Sequence, residues 1–344
     1  MMSASAFAVA REKRNGMWPR RGNAAGGCCN CGRDAMSEGH LPVLLEETLG
    51  MLSRGSLAGA SPLALDCTFG GGGHSGEILR RFPSCRLTAI DTDPEAAPRA
   101  AALAAEFPGR VSFIDSNFGE LANLPVGTGY GAVLFDLGVS SYHFDTAGRG
   151  FSFRADAPLD MRMNPREGQS AAEFLETASD YDLCKALRDY AEEPRWKAVA
   201  RAIVAARGTG RLSRTLSFAE LVAQAVGGRM PQRIHPATKT FQGVRIFVNR
   251  EMESLESALP AAFEILAPKG VLAVISFHSL EDRIVKRFFR RMAGLPETRE
   301  DNTPQQSRVR RAELLENKPV TASTDEEAGN PRARSAKLRA LCKL

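Results

Sequence analysis

The feature that most limits the fold is a short apolar run that ends in an acid and passes into a block of glycines. Leu63-Ala64-Leu65 runs into Asp66, Thr68-Phe69 follow, and Gly70 to Gly73 complete the block. Ser75 to Phe82 then read as a helix. A strand that stops at a glycine turn and restarts as a helix lets the backbone approach a bound cofactor closely. The rhythm repeats. Arg86 to Ile90 reads as a second strand ended by Asp91, and Asp93-Pro94-Glu95 opens an Ala-rich helix to about Phe107. Val111 to Ile114 reads as a third strand with Asn117-Phe118 beyond it, and Ala132 to Phe135 as a fourth, ended by Asp136. Apolar strands alternating with helices predict a parallel sheet covered on both faces.

After His143 the rhythm stops. To about Thr240 the spacing of apolar residues is helical, with segments at Glu173–Ala178, Tyr181–Ala191, Trp196–Ala206 and Phe218–Val226. A helix is expected over Val244–Leu266, broken near Pro260, then a turn at Pro268-Lys269-Gly270 and a buried strand from Val271 to Phe277. Ser279 and Asp282 resemble a capping box that opens a helix over Ile284–Met292. Residues 294–330 read as polar and loosely ordered, and the end as a basic tail. The expected fold class is α/β, a doubly wound Rossmann-like core holding an inserted, mostly helical domain. The core takes residues 36–142 and 241–344, the insert 143–240, and residues 1–35 a disordered extension.

Charge sharpens this division. The net charge of the 344 residues is only +5, yet residues 195–250 hold 11 Lys+Arg against one acid. Such segregation points to a polyanionic partner, nucleic acid first. No run approaches ~18 uninterrupted apolar residues, so no membrane partner is expected. Seven cysteines, an odd number in a long chain, favour reduced thiols and a cytoplasmic compartment. Cys28, Cys29 and Cys31 are spaced too tightly for a usual zinc site, and no metal is expected. Residues 1–35 leave an organellar matrix open as the alternative location, should they act as a transit peptide.

The glycine turn admits two readings. Gly71, Gly73 and Gly76 fit G-x-G-x-x-G with Asp91 twenty residues beyond Gly71, a dinucleotide fingerprint. The other ligand is S-adenosyl-L-methionine. Asp66 before the glycines suits a cationic amino-acid moiety and would repel a pyrophosphate. Asn117-Phe118 suits adenine, and Asp136-Leu137-Gly138 stands where a methyltransferase of this fold keeps its reactive motif. No second mononucleotide half is apparent. Together these favour the methyl donor.

Methylation of an exocyclic base nitrogen needs an acceptor beside its N–H groups, because the lone pair is delocalised into the ring. Asp136 has that position, though the Pro-Pro pair common in such motifs is absent. Ser140 and Ser141 are candidate hydrogen-bonding partners of the base, Tyr142 a candidate stacking group, and Phe144 and Phe151 are read as packing.

These residues fall within a longer series of motifs. They include His40-Leu41-Pro42-Val43-Leu44-Leu45, Asp66 to Ser75, Asp136 to Ser141, and Arg149-Gly150-Phe151-Ser152-Phe153. Pro158-Leu159-Asp160-Met161-Arg162-Met163, His235-Pro236-Ala237-Thr238 and Phe241-Gln242 with Arg245-Ile246 and Val248-Asn249 follow. The series ends with Ile275 to Arg283 and Asn330 to Ser335. In this order the chain resembles the ribosomal RNA small-subunit methyltransferase H family (MraW type) from about His40 to Arg339.

The resemblance implies methyl transfer from S-adenosyl-L-methionine to the N4 of a cytosine in small-subunit rRNA, near the decoding centre. The expected partner is that rRNA or the 30S subunit. It implies cofactor contacts at Gly72, Gly73, His74, Asp91, Phe118, Asp136 and His143. Many relatives carry Gln at the position of His143, and Glu192-Glu193-Pro194-Arg195 departs from the family's Gly-Glu-Glu-Arg. Asp136, Ser140 and Ser141 are the expected catalytic residues. Tyr142, Asp160, Arg162, Lys239, Arg245, Arg283, Arg332 and Arg334 are expected at the substrate, the arginines and the lysine on phosphates. A DNA amino-methyltransferase, a non-catalytic rRNA-binding assembly factor and a nicotinamide enzyme are the rival readings.

Overall fold

The computed structural model describes residues 42–58, 62–227 and 235–344. The expectations for residues 1–35, for Cys28, Cys29 and Cys31, and for His40-Leu41 lie outside the described residues. One sheet of seven strands organises the rest. The strands are β1 Leu63–Asp66, β2 Arg86–Asp91, β3 Val111–Asp115, β4 Tyr130–Asp136, β5 Leu266–Ser276, β6 Ala312–Leu314 and β7 Lys337–Lys343, in spatial order β3-β2-β1-β4-β5-β7-β6. The first five run parallel; β7 lies antiparallel between β5 and β6. Strand order reverses between β1 and β4. In open α/β sheets ligands bind at such a reversal, outside the carboxyl ends of the strands. Asp66, Asp91 and Asp136 are the last residues of β1, β2 and β4 on that edge.

Two helical layers cover the sheet. Helices α1 Leu45–Leu52, α2 Gly73–Arg81 and α3 Ala96–Glu106 lie towards one face. Further along are α4 Ser141–Asp145, α5 Ala171–Thr177, α6 Asp180–Cys184, α7 Trp196–Ala206, α8 Thr215–Val226 and α9 Ala237–Val248. Then come α10 Glu251–Ile265, α11 Ser279–Met292 and α12 Thr324–Gly329. Strand β4 shows why its sequence is one unbroken apolar run. Ala132 and Leu134 enter the core shared with α1–α3, whereas Val133 and Phe135 enter the core shared with α10 and α11. No helix among the described residues is long and apolar enough to cross a membrane.

A third core belongs to the helices between β4 and β5. Phe174, Leu187, Ile203, Phe218, Val222 and Val244 are buried together there. Helix α9 packs into this core through Phe241 and Val244, so the chain returns to the sheet at Asn249–Arg250, nine residues beyond the expected boundary at 240. Arg250 has φ +51°, and Asn249 ties the return down: its Nδ2 donates to Met161 O (2.8 Å) and its Oδ1 accepts from Met163 N (2.7 Å). The break expected near Pro260 is absent; that proline sits inside a continuous α10.

Other local expectations shift. The turn at 268–270 is an irregularity within β5, where Lys269 has φ +64°. The box opening α11 is His278 with Glu281, one residue earlier than read. Glu281 N donates to His278 Nδ1 (3.4 Å), and Glu281 Oε2 accepts from Phe277 N (2.8 Å) and His278 N (3.2 Å). Asp282 instead accepts from Arg339 Nε (2.7 Å) and lies 3.5 Å from Lys337 Nζ. Both cations are on β7, so the expected basic tail is an interior strand of the sheet.

Candidate functional site

The glycine turn is stitched to the strand ends by carboxylates. Asp66 Oδ1 accepts from Thr68 N (3.1 Å) and Oδ2 from Ser75 Oγ (2.6 Å). Burial pushes the Asp66 carboxyl above its usual range, and the Ser75 bond only partly offsets this. Its oxygens therefore hold the turn together. Asp91 does the same from β2, accepting from Gly70 N (2.6 Å) and Asp93 N (2.8 Å). Gly70 and Gly72 have φ +52° and +76°, values that disfavour any side chain. A Cβ on Gly73 would stand 2.5 Å from Pro42 Cγ, and one on Gly71 would stand 2.8 Å from Tyr142 Cε2. The turn thus leads α2's N-terminal amides onto the reversal point with no side chain in the way.

Asp136 lies opposite. Its N–H donates to Thr68 Oγ1 (2.6 Å), fixing the end of β4 against the turn. Its Oδ2 is 3.4 Å from His74 Nδ1, while Oδ1 is buried and has no hydrogen-bond partner among the described residues. His74 is itself 6% exposed, with Nε2 3.1 Å from Val43 O. Burial disfavours its charged form, but the Asp136 and Asp66 carboxylates and the Val43 carbonyl together outweigh burial and raise its pKa. Both ring nitrogens are taken by protein, so of His74 only the backbone faces a ligand at the turn.

His143 is equally enclosed. Its Nδ1 accepts from Ser140 N (3.2 Å) and closes the first turn of α4, and its Nε2 lies 3.0 Å from Asp93 Oδ2. Asp93, which the sequence had marked only as a helix opener, is the hub here. Arg149 Nη1 is 3.3 Å from its Oδ1, and Arg99 Nη2 is 3.8 Å from its Oδ2. Burial opposes ionisation, yet the His143 bond, the Glu95 amide and Arg149 overcome it and hold Asp93 at about 2. Arg149 also donates to Arg162 O and Met163 O (3.2 and 2.8 Å), which bolts the segment after α4 onto the core.

A cavity of about 40 Å³ opens beside Asp136. Thr92, Asn117, Phe118, Leu137, Gly138, Glu251 and Glu281 are among the residues that line it. Phe118 is held edge-on to Phe135, ring centroids 5.6 Å apart. The two glutamates were not foreseen. Glu251, His278 and Glu281 each bring one ligating atom within 4.8 Å of the others. Protein groups already meet these charges. Arg245 Nε and Nη2 take both Glu251 oxygens (2.8 and 2.9 Å), and Glu281 accepts the two amides of its helix start. The signal available in sequence was the helix-opening acids after Arg250 and His278.

The residues expected at the substrate fall into two groups. Arg245 is committed to Glu251. Arg162 donates two hydrogen bonds to Asp160, Nε to Oδ1 (2.9 Å) and Nη2 to Oδ2 (2.7 Å), which keeps the Asp160 carboxyl below its usual range against the pull of burial. Arg332 is part-buried, donates to Val139 O, and has its pKa lowered by burial. These three are braces rather than free phosphate ligands. Lys239 donates to Glu192 O (3.2 Å) and Arg283 lies 3.3 Å from Glu192 Oε1 at the surface. Tyr142 is 41% exposed, and Arg334 is exposed with no ion pair among the described residues. The basic block behaves similarly: Arg195, Arg201 and Arg207 donate to backbone carbonyls, which leaves their charge uncancelled.

Comparison with known proteins agrees with this construction. The model of the MraW methylase family matches residues 37–344. The Ribosomal RNA small subunit methyltransferase H of Nitrosococcus oceani is 47% identical over 306 residues, covering 87% of this chain and 95% of that protein. Proteins of the same name from Methylobacterium nodulans and Thermomicrobium roseum are each 45% identical, covering 88% and 89% of this chain and 89% and 94% of theirs. A seven-strand sheet with an acid-and-glycine turn at its reversal point, matched over nearly all the described length, places this chain in the MraW methylase family.

Proposed function

We propose that the protein transfers the methyl group of S-adenosyl-L-methionine to the N4 amino group of a cytidine in small-subunit (16S-type) rRNA near the decoding centre. The observation that carries this reading is the buried, unpartnered Oδ1 of Asp136, held at the strand reversal beside a side-chain-free turn. The names of the relatives support the rRNA substrate.

The cofactor supplies an electrophilic methyl group on a sulfonium. The residues present fit such a cation: three acids end the strands around it, and the amides at the start of α2 suit its carboxylate. Gly72, Gly73, the backbone of His74, Asp91, Phe118 and Asp136 would hold it, with His143 acting from behind through Asp93, whose N–H donates to Asp91. Asp136 Oδ1 accepts an N–H of the incoming amino group, which draws the nitrogen lone pair out of conjugation and aims it. As the N–C bond forms and the C–S bond breaks, one amino proton leaves to Asp136 or to solvent. Gly138, at φ +89°, turns the chain away so that Ser140 and Ser141 begin α4 beside the base. The helices over 143–240, with α9, form the proposed substrate-facing layer, and the work is proposed for the cytoplasm.

Labelled methyl transfer to 30S subunits from cells lacking the enzyme, followed by nucleoside analysis, tests this. N4-methylcytidine is the expected product, and Asp136→Asn should remove it. Label in another nucleoside, or transfer only to DNA, refutes the assignment.

A further inference from the structure

Helix α4 carries an aromatic ring that the packing leaves outside. Phe144 is 42% exposed, the only exposed phenylalanine among the described residues. The sequence reading had it as core packing, and the burial of Phe151 six residues on shows what that would look like. Phe144 is nevertheless not loose. The Arg332 guanidinium lies 5.5 Å from its ring centroid. Arg332 is fixed in turn by its bond to Val139 O and by Asn330, whose side chain caps the turn carrying it. Val139 lies three residues beyond Asp136, the last residue of β4, so the bond from Arg332 places the ring's brace on the loop that leaves the reacting end of that strand. Arg334 follows two residues later, exposed and without an ion pair among the described residues. Two residues before Phe144, Tyr142 repeats the device. It is 41% exposed, with Arg99 Cζ 4.3 Å from its ring centroid, and Arg99 is tied to Gly70 O (2.9 Å).

We propose that Phe144, braced by Arg332, is a stacking platform for an unpaired rRNA nucleotide next to the methylated cytidine, with Arg334 taking its phosphate. The inference rests on the rRNA-methyltransferase reading and adds a contact that reading does not assign. Three points favour RNA over a protein partner. An aromatic ring backed by a guanidinium offers its remaining π-face to any base. Recognition of RNA for base chemistry requires unstacked nucleotides, and aromatic rings replace the lost stacking. The neighbouring uncancelled charge is positive, complementary to a backbone phosphate.

The probe is a short single-stranded RNA with a central cytidine flanked by 2-aminopurine, whose fluorescence is quenched on stacking. The full chain, saturated with S-adenosylhomocysteine, should bind it and quench. Phe144→Leu keeps apolar bulk against Arg332 but has no π-face. It should abolish the quench and weaken RNA binding roughly tenfold or more, the loss of one base–aromatic stack, with S-adenosylhomocysteine affinity unchanged. Phe144→Trp should restore both. Quench and RNA affinity within twofold of wild type in Phe144→Leu would overturn the proposal. So would lost affinity for 30S subunits alone, which would mean a ribosomal-protein contact. Methyl transfer by the wild-type protein to 30S subunits is read in parallel. Its absence sinks the functional reading, whereas transfer with an indifferent Phe144 sinks only the platform.

Discussion

Replacing His74 by Gln tests whether this histidine works on the cofactor or on Asp136. The family resemblance puts His74 at the cofactor, but both its ring nitrogens are spent, one on Val43 O at 3.1 Å and one on Asp136 Oδ2 at 3.4 Å. The His74 side chain is 6% exposed and that of Asp136 28%, so solvent screens the pair only in part. A hydrogen bond to a charged group contributes about 1.5–3 kcal/mol, equivalent to roughly ten- to hundredfold in a rate that depends on Asp136. His74→Gln should therefore lower kcat by that factor while S-adenosylmethionine affinity, by calorimetry, changes less than twofold. Stability gives a second readout with a definite sign. The folded-state pKa of His74 is raised, so its contribution is complete below the unfolded value of about 6.5 and is lost as pH rises through the folded value. Urea melts should show the largest deficit of the variant near pH 6 and a shrinking one as pH rises above the unfolded value. Collapse of cofactor affinity with kcat intact, or a deficit independent of pH, would refute the reasoning and return His74 to the cofactor.

Two further outcomes follow from the same region. Asp93→Asn should cost about 2 kcal/mol at neutral pH, because the carboxyl is held at about 2 against an ordinary value near 4. A depressed carboxylate contributes above its unfolded pKa, so wild-type and variant melting temperatures should converge as pH falls from 4 towards 2, followed by calorimetry. Gly150→Ala should destabilise by at least ~2 kcal/mol: φ is +74° and the new Cβ would lie 2.5 Å from Asp160 N and Pro158 O. Chemical denaturation checks it, and a neutral effect would mean that the loop at Pro158–Asp160 yields.

The sheet was readable because parallel strands announce themselves as apolar runs, four of the five ending here in an acid: Asp66, Asp91, Asp115 and Asp136. Strand β7 was not readable. Lys337-Leu338-Arg339-Ala340 alternates charge with apolar residues, as a solvated tail also would. Only Asp282, 57 residues away, cancels Arg339 and lets the strand sit inside the sheet. Arg245 misled for the same reason. Its partner Glu251 lies across the chain reversal at Arg250, which no helical spacing reports. The roles of Asp93 and His143 were hidden because a fifty-residue separation is closed only by the fold. Phe144 erred in the other direction: nothing local distinguishes an aromatic that packs from one that is held out.

The Asn249 latch bears on how quickly such a chain assembles. Central strands β4 and β5 are separated by about 130 residues of sequence, and pairing them means closing that whole loop. With the helical layer already collapsed and Asn249 bonded to Met161 and Met163, the open length falls to about 25 residues between β4 and Met161 and about 17 between Asn249 and β5. Loop-closure entropy scales with the logarithm of length, so the latch lowers the closure cost by about 1 kcal/mol. The helical layer then acts as a clamp that nucleates the β4–β5 pair. Asn249→Ala should slow refolding in stopped-flow more than it speeds unfolding, and the opposite split would show that the sheet closes first.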